Sequence, residues 1–232
     1  MITILAEPGT LVPGATLVLA RDEAHHLEVL RVTADERLRV VDGAGAIGWG
    51  TASGGRVTVE RVDRAAPPPP TILAAGAGDR DRFLALVEKA VELGATRIVP
   101  LETEHSRSVA TRIRDKHREK LVQRADQALK QSRNPWRPVL DDPVSLERFL
   151  AADLPRQRWL ADAAGQAPAP LAPGAGVVLA VGPEGGFTGA EAGALREAGF
   201  APVALGPYVL RFDTAAVAAL TLAAHLRARE PA

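Results

Sequence analysis

Four consecutive prolines, Pro67 to Pro70, constrain the fold of this chain more than any other feature. Their rings hold φ at about −65° and remove backbone donors, so the run is stiff, extended and unable to join a sheet ladder. With Ala65 and Ala66 it forms the only low-complexity stretch. A domain boundary is placed here, with one domain at 1–66 and a second at 71–232.

Ahead of the boundary, Leu17-Val18-Leu19, Leu38-Arg39-Val40-Val41 and Arg56-Val57-Thr58-Val59-Glu60 are short, partly alternating runs separated by Gly, Asp and Pro. That pattern predicts a small β-barrel or sandwich. Asp22 to Leu30 reads as a helix with Ala24, Leu27 and Leu30 on one face. Gly43-Ala44-Gly45-Ala46-Ile47-Gly48 fits the dinucleotide pattern G-x-G-x-x-G, but Trp49 to Gly55 is turn-rich and no helix follows. A hairpin connection is the better assignment.

Beyond the boundary, strand and helix signals alternate. Thr71 to Ala75, Thr96 to Leu101, Arg158 to Ala161, Gly176 to Val181 and Pro202 to Leu205 read as strands. Asp81 to Leu93 reads as helix, with Phe83, Val87, Ala90 and Val91 inward and Gly94 as its stop. Arg112 to Lys130, Thr188 to Ala198 and Asp213 to Arg229 complete the helices. Thr188 and Glu191 have the spacing of a capping box. This alternation predicts an α/β domain with a mostly parallel sheet covered by helices on both faces.

Two stretches of this domain carry the functional signal. Val181-Gly182-Pro183-Glu184-Gly185-Gly186-Phe187 and Leu205-Gly206-Pro207-Tyr208-Val209-Leu210-Arg211 each leave a strand and enter a helix. Glycines at such points let main chain approach a ligand closely. Loops at the carboxyl ends of neighbouring parallel strands are where open α/β sheets bind ligands.

The two loops together closely resemble those of the bacterial 16S ribosomal RNA uracil-N3 methyltransferases of the SPOUT superfamily. Further resemblance lies in His25-His26-Leu27-Glu28-Val29-Leu30-Arg31 and in Glu88 to Ala95 with Ile98-Val99-Pro100 and Ser106-Arg107. Gln131-Ser132-Arg133-Asn134 with Pro138 adds a third block, so the likeness spans nearly the whole chain. It implies a small N-terminal PUA-like RNA-binding β-barrel and a C-terminal SPOUT domain with a trefoil knot. It implies S-adenosylmethionine as cofactor, a homodimer, and 16S ribosomal RNA or the small ribosomal subunit as partner.

By the same resemblance, Gly182, Pro183, Glu184, Gly185, Gly186, Leu205, Gly206, Pro207 and Leu210 would hold the cofactor. His26, Arg31, Arg82, Arg107, Arg133 and Tyr208 would contact RNA. Arg82, Tyr208 and Asp213 stand where the family usually has Lys, Arg and Glu. A guanidinium stays protonated, so Arg211 suits stabilisation of a uracil imide anion, though a salt bridge at the helix entry would use it equally well. Asp213 is either the N-cap of the last helix or a residue that accepts a proton or contacts the substrate.

Composition bounds the alternatives. A chain of 232 residues with 47% apolar and 24% charged residues is globular. No apolar run reaches about 18 residues and the N-terminus lacks a signal-peptide pattern, so a cytoplasmic protein with no membrane span is expected. Zero cysteines, and five histidines without ligand spacing, lead to no expected metal. Formal net charge is zero, yet Arg107 to Arg137 holds ten Lys/Arg against three Asp/Glu, either a solvated helix face or a phosphate-binding one. A related SPOUT enzyme on another RNA site and an RNA-binding assembly factor with weakened catalysis remain as alternatives.

Overall fold

The computed structural model describes residues 1–33, 36–53, 55–172 and 174–228. The chain forms two compact units, Met1–Pro67 with Asp126–Arg137, and Pro68–Ala125 with Pro138–Ala232.

The first unit contains β1 (Thr3–Leu5), β2 (Thr16–Val18), α1 (Arg21–Val29), β3 (Arg37–Val41), β4 (Ala46–Ser53) and β5 (Arg56–Arg64). They form a curled mixed sheet in the order β1-β3-β4-β5-β2, parallel only between β1 and β3. Ile4, Leu38, Val40, Val57 and Val59 are wholly buried in its core. Of the expected inward face of α1, Leu27 is buried, but Leu30 lies beyond the helix and is 47% exposed. Glu23 is buried in its stead, its carboxylate paired with Lys130 Nζ at 2.5 Å.

The turn-rich assignment of Trp49 to Gly55 is overturned, since Ala46–Ser53 is a strand. Gly50 sits at a bulge opposite β5, where a Cβ would stand 2.1 Å from the Thr58 carbonyl oxygen. The glycine answers close backbone approach within a sheet, not a turn. Gly43 and Gly45 have φ of 70° and 92° and dock on residues 135–137. The Gly45 N–H donates to the Pro135 carbonyl at 3.0 Å, and the Trp136 ring fills the place a Cβ would take.

The second unit begins with β6 (Thr71–Gly76), α2 (Arg80–Glu92), β7 (Arg97–Glu102) and α3 (Glu104–Arg107). A 3-10 turn at Asp115–His117 leads into α4 (Arg118–Ser132), whose residues 126–132 belong to the first unit. Then follow β8 (Val139–Leu140), β9 (Val144–Ser145), α5 (Leu146–Leu150), β10 (Gln157–Gln166), β11 (Val177–Val181), α6 (Gly189–Glu197), β12 (Ala201–Val203) and α7 (Phe212–Ala228).

The strands pair in parallel in the order β12-β10-β11-β6-β7-β8, with β9 also on β7. Every residue of β6 and β11 is buried, as expected of strands covered on both faces. β11 is thus inserted between β10 and β6, strands formed earlier in the chain.

α2 buries Phe83, Val87, Ala90 and Val91, and Gly94 ends it at φ 78°. The helix expected from Arg112 starts six residues later, at Arg118. Residues 111–113 are instead held extended along the loop after β6: Arg80 N–H donates to the Thr111 carbonyl and Ile113 N–H to the Gly78 carbonyl. β10 runs five residues past the expected Ala161, and β12 ends at Val203 instead of Leu205.

Candidate active site

The loops that follow β11 and β12 converge on one cavity of about 200 Å3 at the carboxyl edge of the sheet. From the first loop, Gly182, Pro183, Glu184 and Gly186 line it, and from the second Leu205, Gly206, Tyr208 and Leu210. Gly185 and Pro207, expected with them, are not among the lining residues.

Glycine is required in these loops for different reasons. A Cβ on Gly182 would stand 2.8 Å from the Phe187 nitrogen, because the loop closes on itself with Gly186 N–H donating to the Pro183 carbonyl at 2.8 Å. Gly186 has φ 70° and nothing within 4 Å of its Cβ position, and the nearest atom to that of Gly206 is Leu210 Cδ1 at 4.0 Å. Both therefore present bare main chain.

The loop after β6 supports the first loop from beneath. A Cβ on Gly76 would meet Pro183 Cδ at 2.4 Å, and one on Gly78 would meet Glu184 Oε2 at 2.4 Å. Glu184 Oε1 accepts the Asp79 N–H at 3.0 Å. Asp79 caps α2 by accepting from the Asp81 and Arg82 N–H groups. The Thr111 hydroxyl, donating to Asp79 Oδ2 at 2.6 Å, is the main cause of a carboxyl pKa below the ordinary carboxylate range.

Arg211 is exposed immediately ahead of α7, and its guanidinium makes no hydrogen bond or ion pair among the described residues. Asp213 is not the N-cap of that helix, as α7 begins at Phe212 and Asp213 lies in its first turn. Its Oδ1 is buried with no hydrogen-bond partner among the described residues. Neither side chain is among the cavity's lining residues, though the flanking Leu210, Phe212 and Ala215 are.

Asp162 was missed by sequence reasoning. It lines the cavity with Ala161 and Ala163, one carboxylate oxygen accepting from Ala164 N–H and the other from Arg196 at 2.9 Å. Its position just past the expected end of a strand is the signal that would have flagged it. Phe187 and Val209, which belong to the two loop motifs without being expected to hold the cofactor, and Phe212, which lies outside both, supply apolar lining.

Of the residues expected to contact RNA, Tyr208 alone lines this cavity, with 81% of its surface exposed. Arg82, in the first turn of α2, and Arg107, in α3, belong to the same unit but lie outside the lining. Arg31 and Arg133 are in the first unit, both exposed and both at positive φ, 54° and 60°. The Arg133 carbonyl accepts from the buried Arg39 guanidinium. The side chain of His26 lies outside the described residues. Among the described residues no group of His, Asp and Glu could hold a metal, and no helix is long and apolar enough to cross a membrane.

A parallel sheet with two bare-backbone loops around one cavity at its carboxyl edge is a general ligand-binding arrangement of α/β proteins, and the family model for the RNA methyltransferase domain, which matches residues 66–224, makes this one an RNA methyltransferase domain. The chain is 30% identical to the ribosomal RNA small subunit methyltransferase E of Aquifex aeolicus, covering 90% of this chain and 94% of that protein. It is 31% identical to the protein of the same name from Mycobacterium tuberculosis, covering 89% and 85%. Its fold superposes on the Neisseria gonorrhoeae enzyme of that name, in a crystal structure bound to S-adenosylmethionine, with a TM-score of 0.82 at 25% identity over 95% of each chain. The chain belongs to the ribosomal RNA small subunit methyltransferase E family.

Proposed function

We propose that this chain transfers a methyl group from S-adenosylmethionine to N3 of a uridine in small-subunit (16S) ribosomal RNA, in the cytoplasm. The observation that carries the proposal is the convergence of the loops after β11 and β12 on a single cavity. The residues suit the cofactor: Gly186 and Gly206 leave uncovered main chain for polar edges, while Leu205, Leu210 and Phe187 offer apolar surface to an adenine.

When bound there, S-adenosylmethionine supplies an electrophilic methyl on a sulfonium. The imide nitrogen of uracil is a weak nucleophile until its proton leaves. Arg211, unpaired among the described residues and always charged, stabilises the negative charge that then spreads over N3 and the flanking oxygens. Asp213, with a carboxylate oxygen unpartnered among the described residues, is the nearest candidate in sequence to take the proton. The loops fix the approach of the reacting groups, an effect worth up to roughly 7–11 kcal/mol in well-ordered cases.

On this proposal the first unit is the PUA-like RNA-binding domain, and Arg31, Arg133 and His26 contribute to RNA binding there. Arg82, Arg107 and Tyr208 do the same in the second unit. The family likeness supports a trefoil knot around the two loops, and the insertion of β11 between earlier strands accords with it. It likewise supports a homodimer, with Tyr208 and Val209, 81% and 87% exposed, at the lip of the cavity. Mass spectrometry of small-subunit rRNA from cells with and without the gene tests the reaction: one methyluridine should be lost. Unchanged rRNA would refute it, and a lost methyl in another RNA would point to a different target.

A further inference from the structure

The geometry points to His105 as a positioning residue that pins the cofactor loop from outside, through a hydrogen bond from its imidazole Nδ1 to the Gly186 carbonyl oxygen. The two atoms are 3.0 Å apart. Gly186 also lines the cavity, so the same residue is held behind by His105 and exposed in front to the ligand. The imidazole also packs against Gly185, where His105 Cβ and Cγ lie 3.0 Å from the position of an added Cβ, so any side chain there would have to push the histidine aside by a few tenths of an ångström. Gly185 is absent from the cavity lining and faces this contact instead.

The histidine stands on a fixed base. α3 is closed by reciprocal capping between Thr103 and Ser106, which are 1% and 0% exposed. The Glu104 N–H donates to Glu191 Oε1 at 2.8 Å, and Glu191 Oε2 accepts the Thr188 N–H at 2.9 Å. One carboxylate thus ties α3 to the cap of α6, immediately beyond the loop. With His105 this makes two attachments from α3 to the segment 186–191, both within the second unit.

A carbonyl oxygen only accepts, so the contact requires the proton on Nδ1. Neutral His105 is then the Nδ1–H tautomer. The contact holds the Gly186 peptide in its open, positive-φ orientation before any ligand arrives, which lowers the ordering cost of binding. The role presupposes the cofactor seat proposed above.

The test uses the full chain, with S-adenosylmethionine binding read by calorimetry and the tautomer by 15N NMR at about pH 8. His105→Leu and His105→Gln should weaken binding by about three- to tenfold, the worth of one hydrogen bond. His105→Asn, whose amide nitrogen is as far along the side chain as Nδ1, should recover most of it. The loss should appear in KM for S-adenosylmethionine more than in kcat. NMR should show Nδ1 protonated in the free protein. If His105→Leu and His105→Gln bind as tightly as the wild type, or the proton is on Nε2, the inference is overturned while the proposed function stands. A wild-type chain that binds no S-adenosylmethionine removes both.

Discussion

The Glu184 carboxylate accepts the backbone N–H of Asp79, 105 positions earlier in the chain, at 3.0 Å. Through this bond the loop after β11 is joined to the cap of α2, and the loop after β6 becomes its floor. The fit leaves no spare volume, since Pro183 and Glu184 occupy the spaces that side chains on Gly76 and Gly78 would need.

Gly76→Ala should therefore damage the site. Its methyl would meet the ring and backbone nitrogen of Pro183 at 2.4 Å, a rigid obstacle that must move. The expected cost is roughly 1–3 kcal/mol of stability, with weakened S-adenosylmethionine binding as the loop shifts. Gly193→Ala is the control. It lies inside α6 with nothing within 4 Å of its Cβ position, so it should gain about 0.5–1 kcal/mol. Urea unfolding and calorimetry of both variants check the pair.

Asp79 gives the site an acid-sensitive floor. Hydrogen bonds from Thr111 and from the Arg82 and Asp81 N–H groups hold its folded-state pKa below the ordinary 3.8. A depressed carboxyl pKa stabilises the fold above the unfolded value, and that stabilisation is lost as pH falls through the folded value. The wild type should thus be more stable than Asp79→Asn above the ordinary carboxylate value, and the advantage should shrink as pH falls below it. Thermal unfolding across that range measures it; curves that stay parallel would contradict it.

Much of this was legible in the sequence because it is local. The Phe83-Val87-Ala90-Val91 stripe of α2, the Thr188–Glu191 capping box and the two glycine loops each report their structure within a few residues. What was not legible depends on distant partners. Gly50 reads as a turn residue until the Thr58 carbonyl is seen against it. Arg112 to Arg114 read as helix until the loop after β6 holds the backbone around them extended. Asp162 carries no motif and matters only because β10 lies beside β11, and a strand order is not written in the strands themselves. His105 carries no motif of its own, and its contact with Gly186 spans 81 positions.

Arg211→Gln should separate chemistry from cofactor binding. The guanidinium is exposed and unpaired among the described residues, so its removal breaks no ion pair there. S-adenosylmethionine affinity should stay within about twofold, because that seat is main chain and apolar surface. Methyl transfer to small-subunit rRNA should fall about 10²- to 10³-fold, as expected when a charge-stabilising donor is lost at the transition state. Arg211→Lys keeps the charge without the planar fork and should recover part of the rate. Single-turnover assays with saturating cofactor give the comparison, and equal rates for all three chains would remove Arg211 from the chemistry.

Tyr208 tests how the lip of the cavity meets RNA. It is 81% exposed beside Val209 at 87%, an exposure of large apolar surface that the fold of one chain does not use. Stacking of a base or ribose on an aromatic ring is worth about 1–3 kcal/mol. Tyr208→Ala should therefore weaken RNA binding by about five- to a hundredfold, whereas Tyr208→Phe, which keeps the ring, should stay near wild type. Salt separates the two forces at this position. A stacking contact releases few counterions, so the slope of log affinity against log salt should be the same for wild type and Tyr208→Ala, while Tyr208→Arg should steepen it by about one unit. Filter binding to small-subunit rRNA at several salt concentrations reads all three variants. If Tyr208→Phe loses as much as Tyr208→Ala, the hydroxyl is the contact and the ring is not.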